Sequence, residues 1–316
     1  MIIDIHTHLI GLDESNGCFV SSRMRGSILY KYLKMTLGLS GVDDDGLDAA
    51  YRRKLVGWAE ESDLDGVGVF ALDGIYDEDG ELDRDETAVL IDNDYCLEVC
   101  RDSDKLLPIC SVNPARNDAL EELERVVHEG SVAIKLLPNS QGVDPMLPEY
   151  QPFWQRMAEL GVPLITHTSF EHTIPVVEQS YGEPDRLRAV LDEGVTVVAA
   201  HCASAGVAHI TEHIDDWMSM LRTYPNLFGD ISAMASVARF PYISQVLDDE
   251  VAKERVALGS DFPIPVTPWL FVHKLGWSKT RELGDIDNPL QRNLETFRAL
   301  GCGQKILRRG ARLLRL

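Results

Sequence analysis

Residues 1–11 read MIIDIHTHLIG, an apolar, β-branched run interrupted by Asp4, His6 and His8. Alternation along a strand puts residues 6 and 8 on one face and Thr7 on the other, so the two imidazoles converge. A buried imidazole left without a partner costs about 1–3 kcal/mol. A divalent cation at the point of convergence removes that penalty.

Runs of the same kind recur along the chain: GVGVFAL (66–72), LLPICSVN (106–113), VAIKLLP (132–138), VPLITHT (162–168), VTVVAAHC (195–202), LFGDIS (227–232) and VALGSDF (256–262). Amphipathic helical segments separate them. Near-continuous apolar strands alternating with helices indicate parallel strands covered on both faces. Eight such units predict an α/β fold of the (β/α)₈ TIM barrel type. In NDALEELERVVHEG (117–130), Asn117 is the expected N-cap and Gly130 the stop. Residues 11–62 separate the first two strands and carry helical patterns near 24–38 and 46–61. They predict a helical insertion after the first strand, at the catalytic face of the barrel. No repeat, low-complexity tract or Pro/Ser-rich linker divides the chain, so residues 1–316 are expected to form a single domain. The basic, amphipathic tail QKILRRGARLLRL (304–316) is expected to be a closing helix packed on the barrel.

The net charge of -21 argues against nucleic acid or an anionic membrane as partner, since both attract clustered Lys and Arg. No stretch approaches the ~20 apolar residues that span a bilayer, and the N-terminus lacks the basic-then-apolar pattern of a signal peptide. The six cysteines form no C-x-x-C pair or compact framework and fit reduced thiols in a cytoplasmic protein. A small-molecule substrate is the expected partner. If it is anionic, a metal or a few basic residues must supply the local positive charge. Homo-oligomerisation is left open.

In a parallel barrel the C-terminal strand ends share the face that carries the active site. His6 and His8 fall at the end of the first predicted strand, Lys135 near the end of the fourth, His167 at the end of the fifth, His201 of the sixth and Asp261 of the eighth. Imidazole donors suit a Zn-class ion. The expected ligands are His6, His8 and His167 through neutral nitrogens and Asp261 through oxygen, with a water in the open position. One divalent ion is expected, Zn²⁺ first, with Mn²⁺ or Fe²⁺ as alternatives. Each ligand histidine also needs an acceptor for its other nitrogen. Asp4, two residues before His6, is a candidate. His172, five residues after His167, is a candidate substrate contact. His128, His209, His213 and His273 sit in helical or loop patterns away from strand ends, with His209 and His213 spaced as a surface pair if helical.

At these residues the sequence resembles the amidohydrolase superfamily, and within it the amidohydrolase-related branch that includes aminocarboxymuconate-semialdehyde decarboxylase, other nonoxidative decarboxylases and lactone hydrolases. IDIHTH is similar to the family's first-strand His-x-His, IKLLP to its fourth-strand lysine segment, LITHT and VVAAHC to its fifth- and sixth-strand histidines, and LGSDFP to its final aspartate motif. The resemblance implies that His6, His8, His167 and Asp261 are ligands of a single metal. It also implies that His201 acts on substrate or water and that Lys135 is an unmodified substrate-anion or structural contact, rather than a carbamylated bridge between two metals. The chain departs from the decarboxylases in TSFEHTIP after the fifth-strand histidine and in lacking Glu-x-His on the first strand. The expected function is therefore a metal-dependent hydrolase acting on a small carboxylic ester, lactone or amide through a metal-activated water. Asp261 would be general base and His201 would stabilise the oxyanion. The alternative is a metal-dependent, nonoxidative decarboxylase (a lyase) of an aromatic or unsaturated carboxylic acid.

Overall fold

The computed structural model describes residues 1–206 and 213–316. All eight apolar runs form strands: β1 (Ile3–His8), β2 (Gly66–Phe70), β3 (Leu106–Ser111), β4 (Ala133–Leu136), β5 (Leu164–Thr166), β6 (Val197–Ala199), β7 (Leu227–Asp230) and β8 (Val256–Ala257). Each pairs in parallel with the next in chain order. The circle closes where Ile5 N–H donates to Leu258 O at 3.0 Å, Asp261 N–H to His6 O at 2.8 Å and His8 N–H to Phe262 O at 2.8 Å. The molecule is a TIM barrel.

Two apolar layers result. Val67, Val69, Val197 and Leu227 face outward into the layer covered by helices, whereas Ile5, Phe70, Ile109, Ile165 and Val198 meet inside the barrel. The tail helix Gln304–Leu313 plugs the N-terminal end, adding Ala311 and Leu313 to the inner cluster. It approaches so closely that a Cβ on Gly310 would meet Ile5 Cγ2 at 2.6 Å.

At the opposite end, residues 11–62 fold back over the barrel mouth. They form the helices Ser22–Arg25, Ile28–Thr36 and Asp44–Glu61 and a short strand, Phe19–Val20, paired antiparallel with Val89–Leu90. The longest helix buries Leu47, Tyr51, Leu55 and Ala59, one side chain per turn, against the barrel. Asp48 fastens the start of the excursion by accepting N–H bonds from Leu12 and Asp13. The helix predicted from residue 117 runs from Ala119 to His128 with Asp118, not Asn117, at its N-cap. Asn117 instead donates its amide to Glu81 Oε1.

Candidate metal centre

His6 and His8 leave β1 into the mouth of the barrel and meet Asp261 in the turn after β8. The Nε2 atoms of His6 and His8 lie 3.2 and 3.1 Å from Asp261 Oδ1. His201, after β6, has Nδ1 3.9 Å from Asp261 Oδ2, and the His167 ring, after β5, is centred 5.4 Å from the His201 ring. Lys135, on β4, places its ammonium 4.5 Å from the centre of the Phe70 ring. All of these side chains line one cavity of about 280 Å³. Gly259 is required by the close approach of three strands here, because a Cβ would come within 2.9 Å of His6 Cβ and 3.0 Å of Ser232 Cβ. His201, Ala233 and Asp261 all adopt left-handed backbone, with φ of 55°, 56° and 62°. Such strain costs about 1–3 kcal/mol per residue and gathers at functional sites.

A hydrogen-bond network behind the ring sets the tautomers. Asp230, the last residue of β7, accepts from His6 Nδ1–H through Oδ2 at 2.8 Å and from the His201 backbone N–H through Oδ1 at 2.9 Å. Ser232 donates its hydroxyl to Asp230, which leaves that oxygen to accept from His201 Nδ1–H at 2.8 Å. His6 and His201 are thereby both protonated at Nδ1, which leaves Nε2 as the ligand atom of each ring in its neutral form. Tyr51, from the longest helix of the excursion, donates its hydroxyl to His8 O at 2.6 Å and fixes the strand end.

The electrostatics favour neutral imidazoles around an ionised carboxylate. Burial lowers the pKa of His8 and brings that of His167 down to about 4; burial and then the Arg239 cation hold His201 well below its ordinary value. His6 is the exception. Burial and Lys135 press it toward neutrality, but Asp230 and Asp261 outweigh them and raise its pKa. Burial opposes ionisation of Asp261, yet His201 and His6 prevail and hold it well below the usual carboxylate range.

The donor chemistry suits a divalent ion. His6, His8 and Asp261 offer ligand atoms that all lie within 4.8 Å of one another, as do His6, His201 and Asp230. His6 Nε2 and His167 Nε2 are buried and have no hydrogen-bond partner among the described residues. Two orphaned imidazole nitrogens beside a buried carboxylate are the cost that a cation removes.

The structure brings His6, His8, Lys135, His167, His201 and Asp261 together and puts His172 on the exposed rim of the same cavity. Asp4 is elsewhere. The register of β1 shifts between Asp4 and Thr7, so Asp4 aligns with Val67 and shares its outward face, whereas His8 aligns with Phe70, which faces inward. Instead of holding an imidazole, Asp4 accepts the backbone N–H groups of His6 and Ser260 at 3.0 and 2.9 Å. The acceptor behind His6 is Asp230. It was legible only as an acidic residue at the end of a predicted strand. Glu171 and Arg239 also border the cavity and carried no signal of their own in the sequence. Glu171 Oε2 lies 3.5 Å from His167 Nε2. His128 and His273 are exposed, and His213 bonds to Asp216 at 3.0 Å. His209 lies outside the described residues.

Among the described residues no helix is long and apolar enough to cross a membrane. Solved structures share the fold. An uncharacterized TIM-barrel protein from Bordetella bronchiseptica is 15% identical, with a TM-score of 0.66 over 99% of this chain and 98% of that one. A putative 2-pyrone-4,6-dicarboxylic acid hydrolase from Pseudomonas putida is 15% identical, with a TM-score of 0.57 over 99% and 96%. 5-Carboxyvanillate decarboxylase from Sphingomonas paucimobilis is 12% identical, with a TM-score of 0.53 over 100% and 99%. No curated protein matches the chain. A family model described as Amidohydrolase matches residues 3–277, from the first strand through the aspartate turn, and the chain accordingly belongs to the amidohydrolase superfamily.

Proposed function

We propose that the cavity is the active site of a metal-dependent hydrolase for small carboxylic esters, lactones or amides. The observation that carries this reading is the position of Asp261, with one oxygen toward His6 and His8 and the other toward His201. His6, His8, His167 and Asp261 would hold one divalent ion, Zn²⁺ first, with Mn²⁺ or Fe²⁺ as alternatives. Bound there, such an ion supplies Lewis acidity, polarising a carbonyl and making water more acidic at neutral pH.

Asp261 takes a proton from the attacking water and returns it to the leaving oxygen or nitrogen as the acyl bond breaks. His201 acts on the water. Its Nδ1–H is committed to Ser232, so Nε2 is an acceptor that can orient a water O–H. An oxyanion-stabilising role would need a proton on that nitrogen, which burial and Arg239 disfavour. Lys135 attracts an anionic group on the substrate, and His172 touches the substrate from the rim.

A second reading, nonoxidative decarboxylation, draws support from Lys135 and Arg239. Both are buried cations with no carboxylate within ion-pair distance among the described residues, in a cavity with mainly apolar walls, where a substrate carboxylate would lose its hydration. Asp261 or His201 would then deliver the proton that replaces CO₂. The test is a panel of lactones, esters, amides and aromatic acids, including 2-pyrone-4,6-dicarboxylate and 5-carboxyvanillate, incubated with Zn²⁺- or Mn²⁺-loaded protein and followed by NMR and CO₂ release. Products that together account for the substrate plus one water, a ring-opened acid from a lactone or an acid with its alcohol or amine from an ester or amide, support hydrolysis. Products lighter by CO₂ alone overturn it in favour of the second reading.

A further inference from the structure

The cavity has two ends of opposite character. Its floor holds the ligand histidines, Asp261, Glu171 beside His167, Lys135 and Arg239. Its roof, from the excursion after β1, consists of side chains such as Val20, Met24, Leu33, Leu37, Leu39 and Leu47. Two polar residues also line the roof, but their ends are engaged elsewhere. Tyr30 donates its hydroxyl to Asp44 at 2.9 Å, and Lys34 donates its ammonium to Asp44 at 3.0 Å and to Val42 O at 2.8 Å. Both therefore present their apolar stems.

Arg239 stands at the floor end, only 6% exposed. Nη1 donates to the carbonyl and hydroxyl oxygens of Ser204, and among the described residues no carboxylate lies within ion-pair distance of the guanidinium, Asp261 and Glu171 acting on it only from farther off. A guanidinium carries five N–H donors in a planar fork suited to a carboxylate. A buried, unpaired cation is unfavourable until an anion joins it.

We infer that the substrate is an amphiphilic carboxylate, whose carboxylate is held by Arg239 and whose apolar body extends beneath the roof formed by residues 20–47. The inference rests on the cavity being the active site and specifies what enters it. Sugars, nucleotides and polar cyclic amides are excluded, because each hydroxyl or amide turned toward the roof goes unpaired and weakens binding at least about fivefold. Each methylene buried under the roof instead strengthens binding about fourfold.

Calorimetric titration of the full-length protein, chelated and Zn²⁺-loaded, with butyrate, hexanoate, octanoate and 4-phenylbutyrate tests this, with hexanamide and gluconate as controls. Affinity should rise roughly tenfold or more for every two methylenes. Hexanoate should bind at least tenfold tighter than hexanamide, and gluconate should not bind. Arg239→Gln should erase the preference for carboxylate over amide but keep the dependence on chain length, and Arg239→Lys should restore part of the preference. Leu37→Asn should flatten the chain-length dependence while keeping the preference. Equal affinity across the series, or an unchanged preference in a folded Arg239→Gln protein, overturns the inference. If the series binds as expected but no ester, lactone or amide is turned over, the hydrolase reading fails and the substrate class stands. Turnover with flat binding does the reverse.

Discussion

The inside of this barrel is two stacked regions drawn from the same strands. Ala133 and Lys135 share a face of β4, and Ile165 and His167 stand in the same relation at the end of β5, each pair two residues apart. The lower members, with Ile5, Ile109 and Val198, form a dry layer sealed by the tail helix. The upper members line a cavity, where among the described residues His167 Nε2 has no hydrogen-bond partner and the Lys135 ammonium no ion pair, and where the backbone of neighbouring His201, Ala233 and Asp261 is strained. One step along a strand thus separates a position selected for stability from one held at a cost in stability, and the lower layer is what makes that cost tolerable.

Asp261→Asn should break the upper layer with the largest effect. The change keeps shape and removes the proton acceptor, so kcat/KM should fall by about 10³-fold or more. Metal measured by mass spectrometry should remain partly bound, and the melting temperature should hardly move. Unchanged turnover would remove Asp261 from the mechanism. The complementary cut in the lower layer is Ile165→Ala, which leaves a cavity in a fully buried site. It should cost about 2–4 kcal/mol in urea unfolding and leave kcat within severalfold. A large loss of kcat with little loss of stability would mean that the two layers are not separable as described.

The sequence displayed the two regions unequally. The eight strands were legible because each is a β-branched run closed by a polar or small residue, and the upper ligands because histidines at strand ends are conspicuous among apolar neighbours. Asp230 was not, since an acid at the end of LFGDIS looks like any of the chain's 51 acidic residues until β7 is set beside β8 and β1. Strict alternation puts Asp4 on the face of His6 and His8, but the register shift after it turns it to the outward face instead. Arg239 and Glu171 reach the cavity from loops, whose paths are decided by non-local contacts. In the roof helix Ile28–Thr36, Leu33 lines the cavity, yet Ile28 and Met35 are 87% and 60% exposed, so apolar character alone does not reveal which side faces the substrate.

The smallest expected effect sharpens the comparison most, because it asks whether an upper-layer residue opposes folding. Lys135 is 1% exposed, and burial lowers its pKa to about 8 from an ordinary value near 10.5. A folded-state pKa below the unfolded one means that the unfolded chain binds the proton more tightly. The charged lysine therefore opposes folding fully below about pH 8, and the penalty disappears as pH rises through 8 toward 10.5. Lys135→Met keeps the volume and removes the charge. In chelated protein at pH 7 it should raise stability by about 2 kcal/mol, the ~3 kcal/mol that the shift corresponds to less the ~1 kcal/mol of the ammonium's lost contact with the Phe70 ring. The gap from wild type should close between pH 8 and 10.5, while activity on an anionic substrate is lost at every pH. A variant less stable than wild type at pH 7, or a gap that does not change with pH, would show that an anion or hydrogen-bond partner already compensates the ammonium. Lys135 would then belong with the stabilising layer beneath it.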